Sequence, residues 1–175
     1  LATGIGQSQP GRTAVVLHRL AHQPALVLQL VGEPDPGNPA AIPEAQLREW
    51  QRSGLVCWLG RREDIAEILA ASHVVCLPSY REGLPKSLLE GLAAGRALVA
   101  TDVPGCREAV RDGENGLLVP PRDAPALATA LARLLRDPGL RARFGARGRE
   151  MAVAEFATPR IVAQTLDLYA RMPAA

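Results

Sequence analysis

Short apolar runs alternate with helical patterns along this chain. Ala25-Leu-Val-Leu-Gln-Leu-Val31 is rich in β-formers and closes on Gly32. A run of that length between turn residues reads as a buried strand. Leu55-Val-Cys-Trp-Leu59, His73-Val-Val-Cys-Leu77, Ala97-Leu-Val-Ala-Thr101 and Leu117-Leu-Val119 share its character. Arg12 to His22 carries Val15, Val16 and Leu20 at helical spacing. After a proline-rich loop, Pro43 opens a helix that runs to Ser53, with Gly54 as its stop. Further helices are predicted over Glu63–Ala71, over Pro85–Ala94 with Gly95 as the stop, and over Cys106–Val110. Asp123 caps a helix to Arg136, Asp137-Pro138 caps another, and Thr158-Pro159 starts an amphipathic helix with Ile161, Leu166, Leu168 and Tyr169.

Strands separated by helices of about ten residues imply βαβ units and a mostly parallel sheet. The strands are continuously apolar rather than alternating, which fits a sheet covered on both faces. With right-handed crossovers, the prediction is an α/β, Rossmann-like doubly wound domain. The chain divides into a Rossmann-like domain over residues 1–157 and a C-terminal helical segment over 158–175 that has no strand after it.

Composition narrows the functional classes. At 175 residues, 47% hydrophobic and 22% charged, the chain has the makeup of an ordinary globular domain. No apolar run reaches the ~18 residues of a membrane span, and no basic segment leads into an apolar one as in a signal peptide. The chain begins at Leu1 rather than Met, so the expectation is that residues precede it. Net charge is +2, with no dense basic block, which argues against a nucleic-acid partner. Nineteen of the twenty basic residues are arginine and Lys86 is the lone lysine, as codon bias in a GC-rich genome would give. Cys57, Cys76 and Cys106 are odd in number and far apart, and read as reduced core residues of a cytoplasmic protein.

In a doubly wound fold, ligands bind beyond the carboxyl ends of the strands. The richest such loop is Pro78-Ser-Tyr-Arg-Glu-Gly-Leu-Pro-Lys-Ser-Leu-Leu-Glu90. Gly83 permits close backbone approach. Pro85 starts a helix whose free N–H groups suit an anion such as phosphate. Glu82 lies in the loop and Glu90 in the helix. Two readings of this pair stand: a ligand-binding couple, or a helix cap at Glu82 and a solvated i,i+4 pair of Glu90 with Lys86. Other candidates are weaker. His18 and His22 are spaced i,i+4, but Arg19 stands where a zinc protease needs Glu and no third ligand is evident, so no metal is expected. Ser79 and Ser87 lack a nucleophile-elbow motif, and Gly4-Ile-Gly6 lacks the third glycine of a dinucleotide fingerprint.

The stretch from Cys76 to Asp123 resembles the retaining glycosyltransferases of group 1 (GT4 type). The residues that carry the resemblance are the glutamate pair Glu82-Gly-Leu-Pro-Lys-Ser-Leu-Leu-Glu90, Ala93-Ala-Gly95, Thr101-Asp-Val-Pro-Gly105 and Asn115-Gly-Leu-Leu-Val119. The resemblance extends over residues 25–171 and implies the C-terminal, donor-binding half of a two-domain GT-B enzyme. It implies that Glu82, the catalytic candidate, contacts hydroxyls of the donor sugar and that Glu90 accepts hydrogen bonds from the ribose. Gly83, Leu84 and Lys86 would offer backbone N–H groups to the diphosphate, and Gly60 and Arg61 would lie at the base. The donor is expected to be a UDP-sugar acting as substrate, with no separate cofactor. The expected partners are an N-terminal acceptor domain of the same enzyme and a lipid-linked or polysaccharide precursor. The expected location is cytoplasmic, on the inner face of the membrane where the acceptor is lipid-linked. Without its other half the chain is expected to be inactive, and a non-catalytic nucleotide-sugar-binding module is the alternative. The sequence departs from the family in one respect. The family's Gly-Arg-Leu motif and following Lys-Gly pair, which clamp the diphosphate, have no counterpart here, since no Lys precedes Lys86 and Arg12 lies too near the Ala25 strand.

Overall fold

The computed structural model describes residues 14–19, 26–34, 41–54 and 56–171. Arg12, His22 and the Gly4-Ile-Gly6 segment lie outside them. The described chain runs β1 (Ala14–Arg19), β2 (Leu26–Val31), α1 (Glu44–Arg52), β3 (Cys57–Trp58), α2 (Ile65–Ala71), β4 (Val74–Leu77) and α3 (Lys86–Ala93). It continues through β5 (Ala97–Thr101), α4 (Pro104–Ala109), β6 (Gly116–Val119), α5 (Ala124–Arg136), α6 (Pro138–Glu155) and α7 (Thr158–Ala170). One sheet has the order β3-β2-β1-β4-β5-β6. Pairs β2–β3, β4–β5 and β5–β6 are parallel, as the βαβ reading requires.

The centre of the sheet differs from the expectation. Residues 14–19, read as part of a helix, form β1, which pairs antiparallel with β2 (Ala14↔Val31 to Arg19↔Leu26) and with β4 (Val15↔Cys76). Two physical constraints account for this. The link from Arg19 to Leu26 is far shorter than the dozen or more residues of a parallel crossover, so neighbouring strands here must run antiparallel. β2 and β4 would otherwise leave two rows of backbone N–H and C=O groups facing each other unpaired, and the β-branched Val15-Val16 pair suits a strand between them. His18 therefore sits on a strand rather than on a helix, and its predicted partner His22 lies outside the described residues.

The apolar strands are covered on both faces. In β4 and β5 successive side chains divide between two cores. Val75, Leu77, Leu98 and Ala100 join Ile65, Leu69, Leu88, Leu92 and Cys106 under α2, α3 and α4. Val74, Cys76, Ala97 and Val99 join Leu47, Ala130, Leu134, Leu140 and Phe144 under α1, α5 and the start of α6. Each wholly buried leucine, such as Leu88, Leu92 or Leu98, contributes about 1.5–3 kcal/mol relative to exposure. Helix α6 serves both cores, with Leu140 and Phe144 in one and Met151 in the other. It can pass the end of α3 because Gly145 lies against the Gly95 backbone, where a Cβ would come within 2.9 Å of the carbonyl carbon. Asn115, fully buried, is satisfied on both sides of its amide. Its Oδ1 accepts from the Arg111 N–H at 2.8 Å and its Nδ2 donates to the Ala109 carbonyl at 3.0 Å.

The thiols behave as the core residues they were read to be. Cys76 and Cys106 are buried and Cys57 half-buried, and none is in a disulfide. Burial pushes the Cys76 thiol up to about 12 from 9.0. A raised folded-state pKa favours folding below the unfolded value and loses that contribution as pH rises above it. Cys76 alone should therefore cost about 1.4 kcal/mol of stability between pH 8 and pH 10. Urea unfolding at the two pH values checks this: the pH-dependent loss in Cys76→Ala should be smaller than in the parent by that amount.

Candidate functional site

The carboxyl ends of β2, β3, β4, β5 and β6 share one edge of the sheet, and the strand order reverses between β1 and β4. A crevice at such a reversal is where doubly wound folds bind ligands. Beyond Leu77 the chain enters the loop Pro78–Pro85, and α3 follows. Pro85 is the N-cap of α3, extended at φ −72 and ψ 114, and makes no side-chain cap hydrogen bond. The helical ladder begins with the Leu88 and Leu89 N–H groups, which donate to the Pro85 carbonyl at 3.1 and 3.3 Å. The N–H groups of Lys86 and Ser87 precede that ladder and face the loop, at the positive end of the helix dipole. With no acidic residue in the first turn, the electrostatic bias favours an anion there.

Most of the sequence-predicted residues gather at this helix start. Glu82 is half-buried, while Gly83 and Leu84 are exposed. A Cβ added to Gly83 would meet nothing within 4 Å, so its outer side is open to a ligand. Glu90 is half-buried on α3, with its Oε1 3.8 Å from Lys86 Nζ. The i,i+4 pair anticipated from the spacing is thus present. With Lys86 61% exposed, an ion pair of this kind contributes at most ~0.5 kcal/mol.

Gly60 and Arg61 lie on the same edge but not in the same cluster. Three strand spacings separate β3 from β4, roughly 14 Å. Gly60 turns the chain at φ +62, and its carbonyl accepts from the Gly32 N–H at 2.8 Å. Trp58 Nε1 donates to the Gly32 carbonyl at 2.8 Å, which ties the ends of β2 and β3 together. Arg61 is exposed beyond this turn.

Two features of the site were not read from the sequence. Arg122, after β6, holds a left-handed φ of 64 and places its guanidinium 5.3 Å from the centre of the Tyr80 ring. A non-glycine residue in that conformation costs ~1 kcal/mol, and a cation–π contact returns a similar amount. The available signal was a long cation just past the carboxyl end of a strand. The second feature is the approach of Cys106 to Glu82. Burial, then the Glu82 charge, push the Cys106 thiol up to about 11, opposed by a hydrogen bond with Thr101. Among the described residues no group of three His, Cys, Asp or Glu side chains is placed to hold a metal ion. No helix of the described residues is long and apolar enough to cross a membrane.

Residues 13–137 match the family described as "Glycosyl transferases group 1". The chain belongs to that family. A putative glycosyltransferase of Bacillus subtilis (strain 168), EpsD, is 39% identical over 117 residues, 67% of this chain and 30% of its own length. Sucrose-phosphate synthase of Thermosynechococcus elongatus superposes with a TM-score of 0.74 at 34% identity, over 82% of this chain and 37% of that one. HepE of Anabaena, in complex with UDP-glucose, superposes at 0.68 with 26% identity, over 74% and 36%. The chain therefore spans about a third of the length of these relatives. The described fold is the Rossmann-like α/β unit of such GT-B enzymes.

One prediction tests the structural weight of the Lys86–Glu90 pair. Lys86→Ala should change unfolding free energy by under about 0.5 kcal/mol in urea titrations, as for an exposed ion pair. A loss well above that would mean that the pair, rather than a ligand, is what α3 is built to hold.

Proposed function

We propose that this chain is the donor-binding half of a retaining glycosyltransferase and holds a UDP-sugar at the carboxyl edge of its sheet. The observation that carries the reading is the start of α3, a helix N-terminus without a side-chain cap, with Glu82 just before it and Glu90 in its second turn. The diphosphate would lie on the N–H groups of Gly83, Leu84 and Lys86. Glu90 would accept hydrogen bonds from the ribose hydroxyls, and Glu82 from hydroxyls of the sugar. Gly60 and Arg61, roughly 14 Å along the edge, stand at a distance that an extended nucleotide sugar diphosphate can span. As the bond between the sugar and the diphosphate breaks, negative charge grows on the departing oxygen. Fixed N–H dipoles aimed at that charge stabilise it more than they stabilise the intact donor. The UDP-glucose complex of HepE supports the donor class.

The acceptor would be held by another half of the enzyme. The chain's share of its relatives' length supports this. So does α7, which buries no residue and exposes Ile161, Val162, Leu166, Leu168 and Tyr169. That face is suited to pack on the other half. A lipid-linked or polysaccharide precursor is the acceptor class in keeping with the Tyr80–Glu90 stretch, with the enzyme peripheral to the membrane when the acceptor is a lipid. A nucleotide-sugar-binding module without chemistry would share the donor site but not the acceptor half.

Calorimetric titration of UDP and UDP-glucose into the chain and two variants tests the reading. Glu90→Ala should weaken both ligands by roughly 10- to 150-fold, since a charged hydrogen bond contributes about 1.5–3 kcal/mol. Glu82→Ala should spare UDP and weaken UDP-glucose. Equal and negligible effects of both substitutions would reduce the glutamate pair to surface chemistry. Purified alone, the chain should transfer no sugar to any soluble or lipid-linked acceptor, and measurable turnover would contradict the need for a second half.

A further inference from the structure

We infer that Gly105 and Thr101, at the end of β5 and the start of α4, are positioning residues that fix the Glu82–Gly83 peptide at the mouth of β4. The inference rests on the reading of Glu82 as the group that contacts the donor sugar. Gly105 is buried, and its backbone is not in the left-handed region where glycine is favoured. What excludes a side chain is a contact. A Cβ built on Gly105 would lie 2.5 Å from the Glu82 carbonyl carbon, and it would also overlap the carbonyl oxygens of Glu82 and Gly83. Those are backbone atoms, which cannot swing aside as the tip of a side chain can. On its other side the same peptide faces open space, since a Cβ on Gly83 would meet nothing within 4 Å. The peptide is thus seated on Gly105 from within and free toward the crevice.

Thr101 supplies the second support. Its Oγ1 donates to the Ser79 carbonyl three residues before Glu82, and Thr101 and Ser79 are 3% and 1% exposed. This bond fixes where the loop departs from β4, and Gly105 fixes its height over α4. Cys106, next in sequence to Gly105, feels the Glu82 charge, as a carboxylate held close above the α4 start requires. A reacting group displaced by about 1 Å can lose on the order of 100-fold in rate, so a contact of this closeness bears on function as well as on packing.

The test compares Gly105→Ala, Thr101→Val, Thr101→Ser and Glu82→Ala by calorimetry with UDP and UDP-glucose, with folding checked by circular dichroism. Gly105→Ala should weaken UDP-glucose at least ~10-fold more than UDP, as loss of a charged hydrogen bond from Glu82 would. Thr101→Val, which keeps the shape and removes the hydroxyl, should shift the preference the same way, and Thr101→Ser should restore it. If Gly105→Ala does not fold, the Val and Ser pair carries the comparison. In ligand-free protein, the amide NMR signals of Ser79, Glu82 and Gly83 should move in Gly105→Ala or Thr101→Val while those of α5 stay in place. Loss of UDP-glucose preference in Glu82→Ala, with parent-like binding in Gly105→Ala and Thr101→Val, would overturn the positioning role and leave the donor reading intact. Unchanged UDP-glucose binding in Glu82→Ala would overturn both. An unmoved Gly83 amide in the folded Gly105 or Thr101 variants would overturn the positioning role whatever the ligand does.

Discussion

The eight side chains of Val74–Leu77 and Ala97–Ala100 are all buried, so β4 and β5 have no face that water can cover. Strands of that kind must be roofed on both sides, and the helices that roof them must cross over from one parallel strand to the next. The consequences run outward from this constraint. α2, α3 and α4 close one face; α1, α5 and the start of α6 close the other. Every parallel strand then ends at the same edge, and the loops that lead into the helices gather there. The site is a by-product of the roofing: α3 must begin beside β4, so its free N–H groups open on the crevice.

The loop between β4 and α3 is irregular, yet its path is constrained from below. Gly105 meets the Glu82–Gly83 peptide, the Thr101 hydroxyl meets the Ser79 carbonyl, and Arg122 covers Tyr80. All three contacts come from the end of β5 and from the segments after β5 and β6, the next strands in the sheet. A loop held by its neighbours can present backbone N–H groups and a carboxylate in one geometry at little cost in ordering when a ligand arrives. The open space outside Gly83 and the half-buried position of Glu82 are two sides of that arrangement.

Much of this could be read from residues alone. The runs His73–Leu77 and Ala97–Thr101 mark β4 and β5 because continuous burial leaves a continuous apolar run. Pro85 and Gly95 marked the limits of α3, since each acts through its own backbone. Residues 14–19 were misread because Val15, Val16 and Leu20 fit a helical period as well as they fit a strand. The deciding factors, a short link to β2 and two strand edges in need of a partner, lie outside the segment. The contact of Arg122 with Tyr80 and the seat under Glu82 escaped for the same reason: both join residues far apart in the sequence. The glutamate pair was legible as a motif, whereas its surroundings came from the packing of β5 and α4.

The central claim is that the start of α3 receives the diphosphate of a nucleotide sugar. Amide chemical-shift mapping by NMR during titration with UDP-glucose tests it most directly. The account predicts that the largest shifts fall on Gly83, Leu84, Lys86 and Ser87, with a second, smaller group around Gly60 and Arg61. Shifts concentrated on the α5 surface, or none at any of these amides at millimolar ligand, would contradict it.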